Sequence, residues 1–293
     1  GPRFESWRAH QGKLYLTDKY FKISFFALIL LTLLLLTEGF FYYFSIKLSN
    51  FCFETFSFHK NCPAEILSDK FNIIYEKKTG YNPLIWDENA FIETLQIILL
   101  SISIFYFYKI LKSKIIYNFK KKINYIFILY FVFLLYYFFE EISWGQHFFR
   151  WTSPDFFIAH NNQKETNLHN ISNLLDQVPR SLLSIWCALS FVIIKLPYLH
   201  KLNKFYPYFI FPSKHLKKIS LFLIIFLLPD LTADLLGIEV DNKTTIEINK
   251  ADIYYFFTLN FIRLSEYQEL LFTYYICFHS IYLKKYIFNK FSC

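Results

Sequence analysis

The chain has 293 residues, of which 55% are hydrophobic and 18% charged, with a mean hydropathy of +0.28 and a formal net charge of +8. That balance is too apolar for a soluble domain of this length and points to an integral membrane protein. The basic residues are not interleaved with an aromatic reading surface, so nucleic acid is excluded as a partner and the positive charge marks membrane topology instead.

The 38 Phe and 23 Tyr accompany many Ile, Lys and Asn, the mark of an AT-rich coding bias, so aromatic abundance alone is not read as a ligand-stacking surface. The sequence contains no Met, and Gly1-Pro2 reads as a protease-cleavage scar that is set aside.

Segments of the length that crosses hydrocarbon recur about six times. They are expected near Ile23 to Ile46, Phe91 to Leu111, Ile123 to Glu141, Val178 to Leu196, Ile219 to Gly237 and Ile253 to Leu283. The last is long enough to tilt or bend. None alternates with a period of two, so helices are expected and not a barrel. The first segment is too long for a signal peptide, lacks a small-residue cleavage pattern after it, and is expected to remain as a transmembrane helix. The expected fold class is therefore all-α: a polytopic integral membrane protein of about six transmembrane helices with an interfacial helix-loop element. One membrane domain covers 1–293, with a first outer loop at 47–90 and a motif-bearing outer element at 142–177.

Lys and Arg gather in alternate connections: Arg3 to Lys22, Lys112 to Lys122, Lys201 to Lys218, and Lys284 to Lys290. The positive-inside rule then puts both termini in the cytoplasm, and the expected location is a bacterial inner membrane with the lipid bilayer as surrounding partner. Cys52 and Cys62 share the first outer loop, where an oxidising compartment permits a bridge but does not require one; Cys187 and Cys277 fall in spans and Cys293 ends the chain. No CxxC, phosphate-loop, dinucleotide or nucleophile-elbow motif occurs, and no transporter-type internal repeat is seen.

The chemistry concentrates where the third span ends. The apolar run Tyr125 to Phe139 leads into Glu140-Glu141-Ile142-Ser143-Trp144-Gly145-Gln146-His147. Adjacent carboxylates at the end of a membrane-length segment need water, a partner, a proton or a metal. On a helix, Glu140, Ser143 and His147 share a stripe with Trp144 beside them, while Glu141 is turned about 100° away, so the two acids need not serve one site. Thr152-Ser153-Pro154-Asp155 reads as a helix start with a hydroxyl N-cap, and Trp151, Phe156, Phe157 and Ile158 suit the headgroup region.

A polar cluster follows: Asn161, Asn162, Gln163, Glu165, Asn167, His169 and Asn170. Glu165 and His169 have the i,i+4 spacing that lets two metal ligands share a helical face; the plain alternative is a capped loop whose side chains satisfy their own backbone. Elsewhere, Glu38 lies in the first span, Pro229, Asp230 and Asp234 in the fifth, and Arg263, Glu266 and Glu269 in the sixth. Pro229 reads as a break or kink, Arg263 and Glu266 as mutual partners, and Glu269 as an acid without a local partner.

The strings EEISWGQ and NNQKETNLHN, from Glu140 to Asn170, resemble a motif of uncharacterised polytopic bacterial membrane proteins that carry EExSWGQ and NxQxETNxHN in the same order. The resemblance implies a family and no activity. Ser143-x-x-x-His147 is similar to the spacing in alkaline-ceramidase-type membrane hydrolases, but their later His-x-x-x-His pair is absent and His279 stands alone. Glu140-Glu141, Phe156-x-x-x-His160 and His169-x-x-x-Asn173 resemble the motifs of CAAX-type membrane proteases. Here those motifs are compressed into one stretch, and Gly145 stands where that family has Arg.

These residues lead to an expected membrane-embedded enzyme with an extracytoplasmic-side Glu/His site, carrying out metal-assisted hydrolysis or transfer on a lipid or lipid-linked substrate. Glu140, Glu141 and His147 are the candidate catalytic residues. Trp144, Gln146, Gln163, Asn167 and Asn170 are candidates for substrate binding, and Glu141, Glu165, His169 and Glu269 for a zinc-like divalent metal. The alternatives are a transporter or channel with a carboxylate-lined path, and a structural subunit packed on membrane-protein partners.

Overall fold

The computed structural model describes residues 21–41, 83–86, 90–113, 121–161, 164–168, 171–192, 216–235 and 262–291, with the backbone alone at 83, 121–122, 147, 173–177, 190–192, 229–235 and 290–291. Every regular element among them is helical: α1 (Phe21–Phe41), α2 (Pro83–Trp86), α3 (Phe91–Leu111), α4 (Lys121–Glu141), α5 (Gln146–Phe149), α6 (Asp155–His160), α7 (Asn173–Val192), α8 (Lys217–Leu235) and α9 (Leu264–Phe291). A 3-10 turn, Ser143–Gly145, joins α4 to α5. Cys52, Cys62 and Cys293 lie outside the described residues, and of the first outer loop only 83–86 and 90 are described.

Among the described residues three helices are long and apolar enough to cross a membrane: α1, α3 within the apolar stretch Leu84–Leu111, and α4 over Ile123–Glu141. Only 22%, 33% and 17% of their apolar windows are buried. So much bare apolar surface would be unfavourable in water and matches hydrocarbon, which makes this a membrane-associated chain. Helices α7, α8 and α9 occupy the places of the fourth to sixth expected spans, and α8 continues across position 229.

Contacts divide the chain into two compact units, one of residues 1–87 and 229–264, the other of 88–228 and 265–293. In the first, α1 turns Ile23, Phe26, Leu30, Leu33, Leu34 and Phe41 outward and buries Phe21, Leu28, Thr32 and Leu35. Its Thr32 hydroxyl folds back on Leu28 O at 2.7 Å, a common way to satisfy a polar group on an apolar helix. Arg263, expected to pair with Glu266, donates through Nη1 to Trp86 O at 3.1 Å within this unit.

The second unit is organised around α9. Almost every residue from Tyr267 to Leu283 is buried, whereas α4 buries Phe127 and Leu134 and exposes Tyr125, Ile128, Leu129, Val132, Tyr136 and Phe139 along one stripe. Leu100, Phe107 and Ile110 of α3, Phe127 and Leu134 of α4, and Ile276, Leu283 and Ile287 of α9 form its apolar core. In hydrocarbon, packing and interhelical hydrogen bonds hold helices together in place of water exclusion. Three such bonds were not anticipated from the sequence. Gln96 of α3 donates to Glu266 O at 3.0 Å, Gln268 of α9 to Phe226 O at 3.2 Å, and Ser220 of α8 to Cys187 O at 2.6 Å. They chain α3 to α9, α9 to α8 and α8 to α7.

Candidate functional site

The two adjacent acids of the central motif part company. Glu140 is 3% exposed and turns into the loop that follows α4, where Oε1 accepts from Trp144 Nε1 at 2.8 Å and Oε2 accepts from Leu168 N at 2.7 Å. Glu141, one residue on, turns into a cavity between helices. The divergence expected from helical geometry holds although the stripe itself does not continue. α4 ends at Glu141, and Ser143, Trp144 and Gly145 take positive φ of 45°, 55° and 89°. Left-handed backbone at two non-glycine residues is unfavourable by about 1–2 kcal/mol each, so the surroundings must hold it in place.

They do so through a hydrogen-bonded latch. Ser143 Oγ donates to Glu165 Oε2 at 2.6 Å, and Asn167 Nδ2 reaches Glu165 Oε2 at 3.0 Å and Ser143 Oγ at 3.2 Å. Asn161 Nδ2 lies 2.8 Å from Glu165 O, 3.0 Å from Asn167 O and 2.7 Å from Asn167 Oδ1. Gln146 Oε1 accepts from Thr166 N at 2.8 Å and lies 3.0 Å from Ser153 Oγ, which also donates to Lys164 O at 2.7 Å. Asn161, Glu165, Thr166, Asn167, Ser143 and Ser153 are all buried. The capped-loop alternative therefore describes the described part of the polar cluster.

Two local expectations change. α6 begins where the sequence indicates, but Ser153 does not cap it, because its hydroxyl is engaged in the latch and Pro154 occupies the cap position. Residues 164–168 are not helical, so no helical face is formed there for Glu165 and His169 to share. The aromatic side chains Phe148, Phe149, Trp151 and Phe156 project outward from this loop, and Trp144 is stacked on Phe139 at 5.3 Å.

At Gly145, a Cβ would meet the Phe149 ring at 3.1 and 3.2 Å. Phe149 is 84% exposed and can swing away, so the backbone at φ 89° decides the outcome. Gly145→Ala is expected to cost about 1–2 kcal/mol and Gly145→Asn less, read as the shift of the thermal midpoint in detergent.

Beneath the latch lies a cavity of about 80 Å³ lined by Phe133, Tyr136, Tyr137, Glu140 and Glu141 of α4, Pro179, Arg180 and Leu183 of α7, and Glu269 and Phe272 of α9. This is room for several waters or a small polar group. Tyr136 is 41% exposed and Pro179 is exposed, so the cavity opens on the outer surface of this unit. Arg180 Nη2 donates to Glu269 Oε1 at 2.6 Å, an ion pair with both side chains largely covered. Glu141 makes no hydrogen bond or ion pair among the described residues.

The cavity is lined by Glu141 and Glu269 and also by Arg180, which the sequence reading passed over. Arg180 falls inside the fourth expected span, and an ionisable residue within a span was the available signal. Glu165 is engaged in the latch. Gln163, His169 and Asn170 lie outside the described residues, as do the side chains of His147, Asp230 and Asp234. Among the described residues no three His, Cys, Asp or Glu side chains are grouped to hold a metal ion. No family model, curated protein or solved structure matches this chain.

Proposed function

We propose that this chain is a six-span membrane enzyme of the bacterial inner membrane, with both termini in the cytoplasm, that performs acid-base-assisted hydrolysis or transfer on a lipid or lipid-linked substrate. One observation carries the reading: Glu141, Arg180 and Glu269, from three helices, converge on an aromatic-walled cavity that opens on the outer surface of the unit. Ionisable groups within membrane helices are unfavourable unless they serve a site, and an opening toward lipid suits a substrate arriving from the bilayer.

In the hydrolytic form, Glu141 takes a proton from water and the resulting hydroxide attacks the acyl or phosphoryl centre of an ester. Arg180 balances the charge that develops on the attacked oxygen. As the ester bond breaks, the proton passes from Glu141 to the leaving alkoxide, giving an acid and an alcohol. Glu140, Trp144, Gln146, Asn167 and Glu165 act as positioning residues, because the latch fixes the end of α4 that carries Glu141. In the metal-assisted form of the same proposal, Glu141 and Glu269 would hold a divalent ion, which would make a bound water more acidic. Glu165 joins such an ion only by releasing Ser143 and Asn167.

The test is mass spectrometry of ester lipids incubated with purified protein in bilayer discs. Turnover that falls by about 100-fold or more in Glu141→Gln supports the proposal. No lipid conversion by the wild type removes the enzymatic reading. Metal analysis of the same samples decides the metal-assisted form, which requires a bound ion that Glu141→Ala loses. A structural subunit is the second reading, favoured by a latch that uses most of the motif's polar groups to hold a loop; it predicts assembly defects from latch variants and no chemistry at Glu141.

A further inference from the structure

The charge balance and the walls of the cavity specify a ligand class, on the reading that this cavity is the site. Glu141 and Glu269 face it, and Arg180 is committed to Glu269, which leaves Glu141 as the acid there without a hydrogen bond or ion pair among the described residues. An ammonium entering here meets a carboxyl group with no other partner and favours its ionised form, so a cationic group is a fitting occupant. The walls agree. Phe133, Tyr136, Tyr137 and Phe272 present four aromatic rings around the acids, and aromatic faces beside carboxylates are the surroundings in which organic ammonium groups are held by combined charge and cation-π attraction. A cavity of about 80 Å³ admits a headgroup end and not an acyl chain, and its mouth at Tyr136 lies on the exposed apolar stripe of α4.

We infer that the cavity binds the primary ammonium of a lipid headgroup, with Glu141 as its counter-ion and the aromatic walls around its methylenes. The chain's substrate is accordingly an aminolipid, taken from the bilayer while its acyl chains stay in hydrocarbon.

Lipid binding to the full-length protein in an uncharged detergent, followed by native mass spectrometry, tests this with phosphatidylethanolamine and phosphatidylglycerol of identical acyl chains. Phosphatidylethanolamine is expected to bind at least about tenfold more tightly, and Glu141→Gln and Tyr137→Leu each to reduce that preference while leaving phosphatidylglycerol binding unchanged. Thermal midpoints of both variants confirm that they remain folded; if one fails to fold, the other carries the test. Equal binding of the two lipids overturns the inference, as does a preference indifferent to both substitutions. Saturable binding of free 2-aminoethanol as tight as that of the lipid overturns the lipid source. Lipid turnover that depends on Glu141 without any headgroup preference leaves the enzymatic proposal standing and removes only the ammonium.

Discussion

Arg180→Ala is expected to destabilise the second unit by about 3–5 kcal/mol, because it leaves Glu269 without its partner in a covered site already shared with Glu141. The ion pair itself need not be the source of stability. Desolvating two charges offsets most of their attraction, so exchanging both for apolar groups of similar size is close to neutral or better. Arg180→Met combined with Glu269→Leu is therefore expected to regain most of what Arg180→Ala loses. Thermal unfolding in detergent, arranged as a double-mutant cycle, reads the coupling. Equal losses in the single and double variants would show that Arg180 contributes packing alone.

Asn161→Ala is expected to cost about 3 kcal/mol and to release the latch. The side-chain amide lies within hydrogen-bond reach of two backbone carbonyls and the Asn167 amide oxygen, all buried around Glu165. Alanine leaves those acceptors without that donor, at about 1–3 kcal/mol for each one that water cannot reach. Trp144 fluorescence reports the release, since that indole is held by Glu140 and stacked on Phe139. A wild-type emission spectrum and midpoint in Asn161→Ala would mean that the other latch bonds hold the loop without it.

Helix content and the position of the motif were legible from composition and apolar run length, because a backbone in hydrocarbon has to satisfy its own hydrogen bonds. The separation of Glu140 from Glu141 was legible too, from the 100° step between helical neighbours. Other features depended on tertiary contact. Arg180 meets Glu269 only through helix packing, and Gln96, Gln268 and Ser220 bond to carbonyls on other helices, which no local pattern encodes. The i,i+4 argument at Glu165 presumed a helix. The density of Asn, Ser and Thr around it argued for a loop, since such side chains compete for backbone groups. Ser153 was misassigned for the same reason: a hydroxyl before Pro-Asp suits a cap, but Lys164 O and Gln146 supplied nearer partners.

Glu140 and Glu141 share a peptide plane, and the first is clamped to an indole and to Leu168 N while the second stands over open space. The loop is consequently a mechanical reference for the second acid. Any displacement of the loop is passed through one peptide unit to Glu141, whose proposed role depends on its aim.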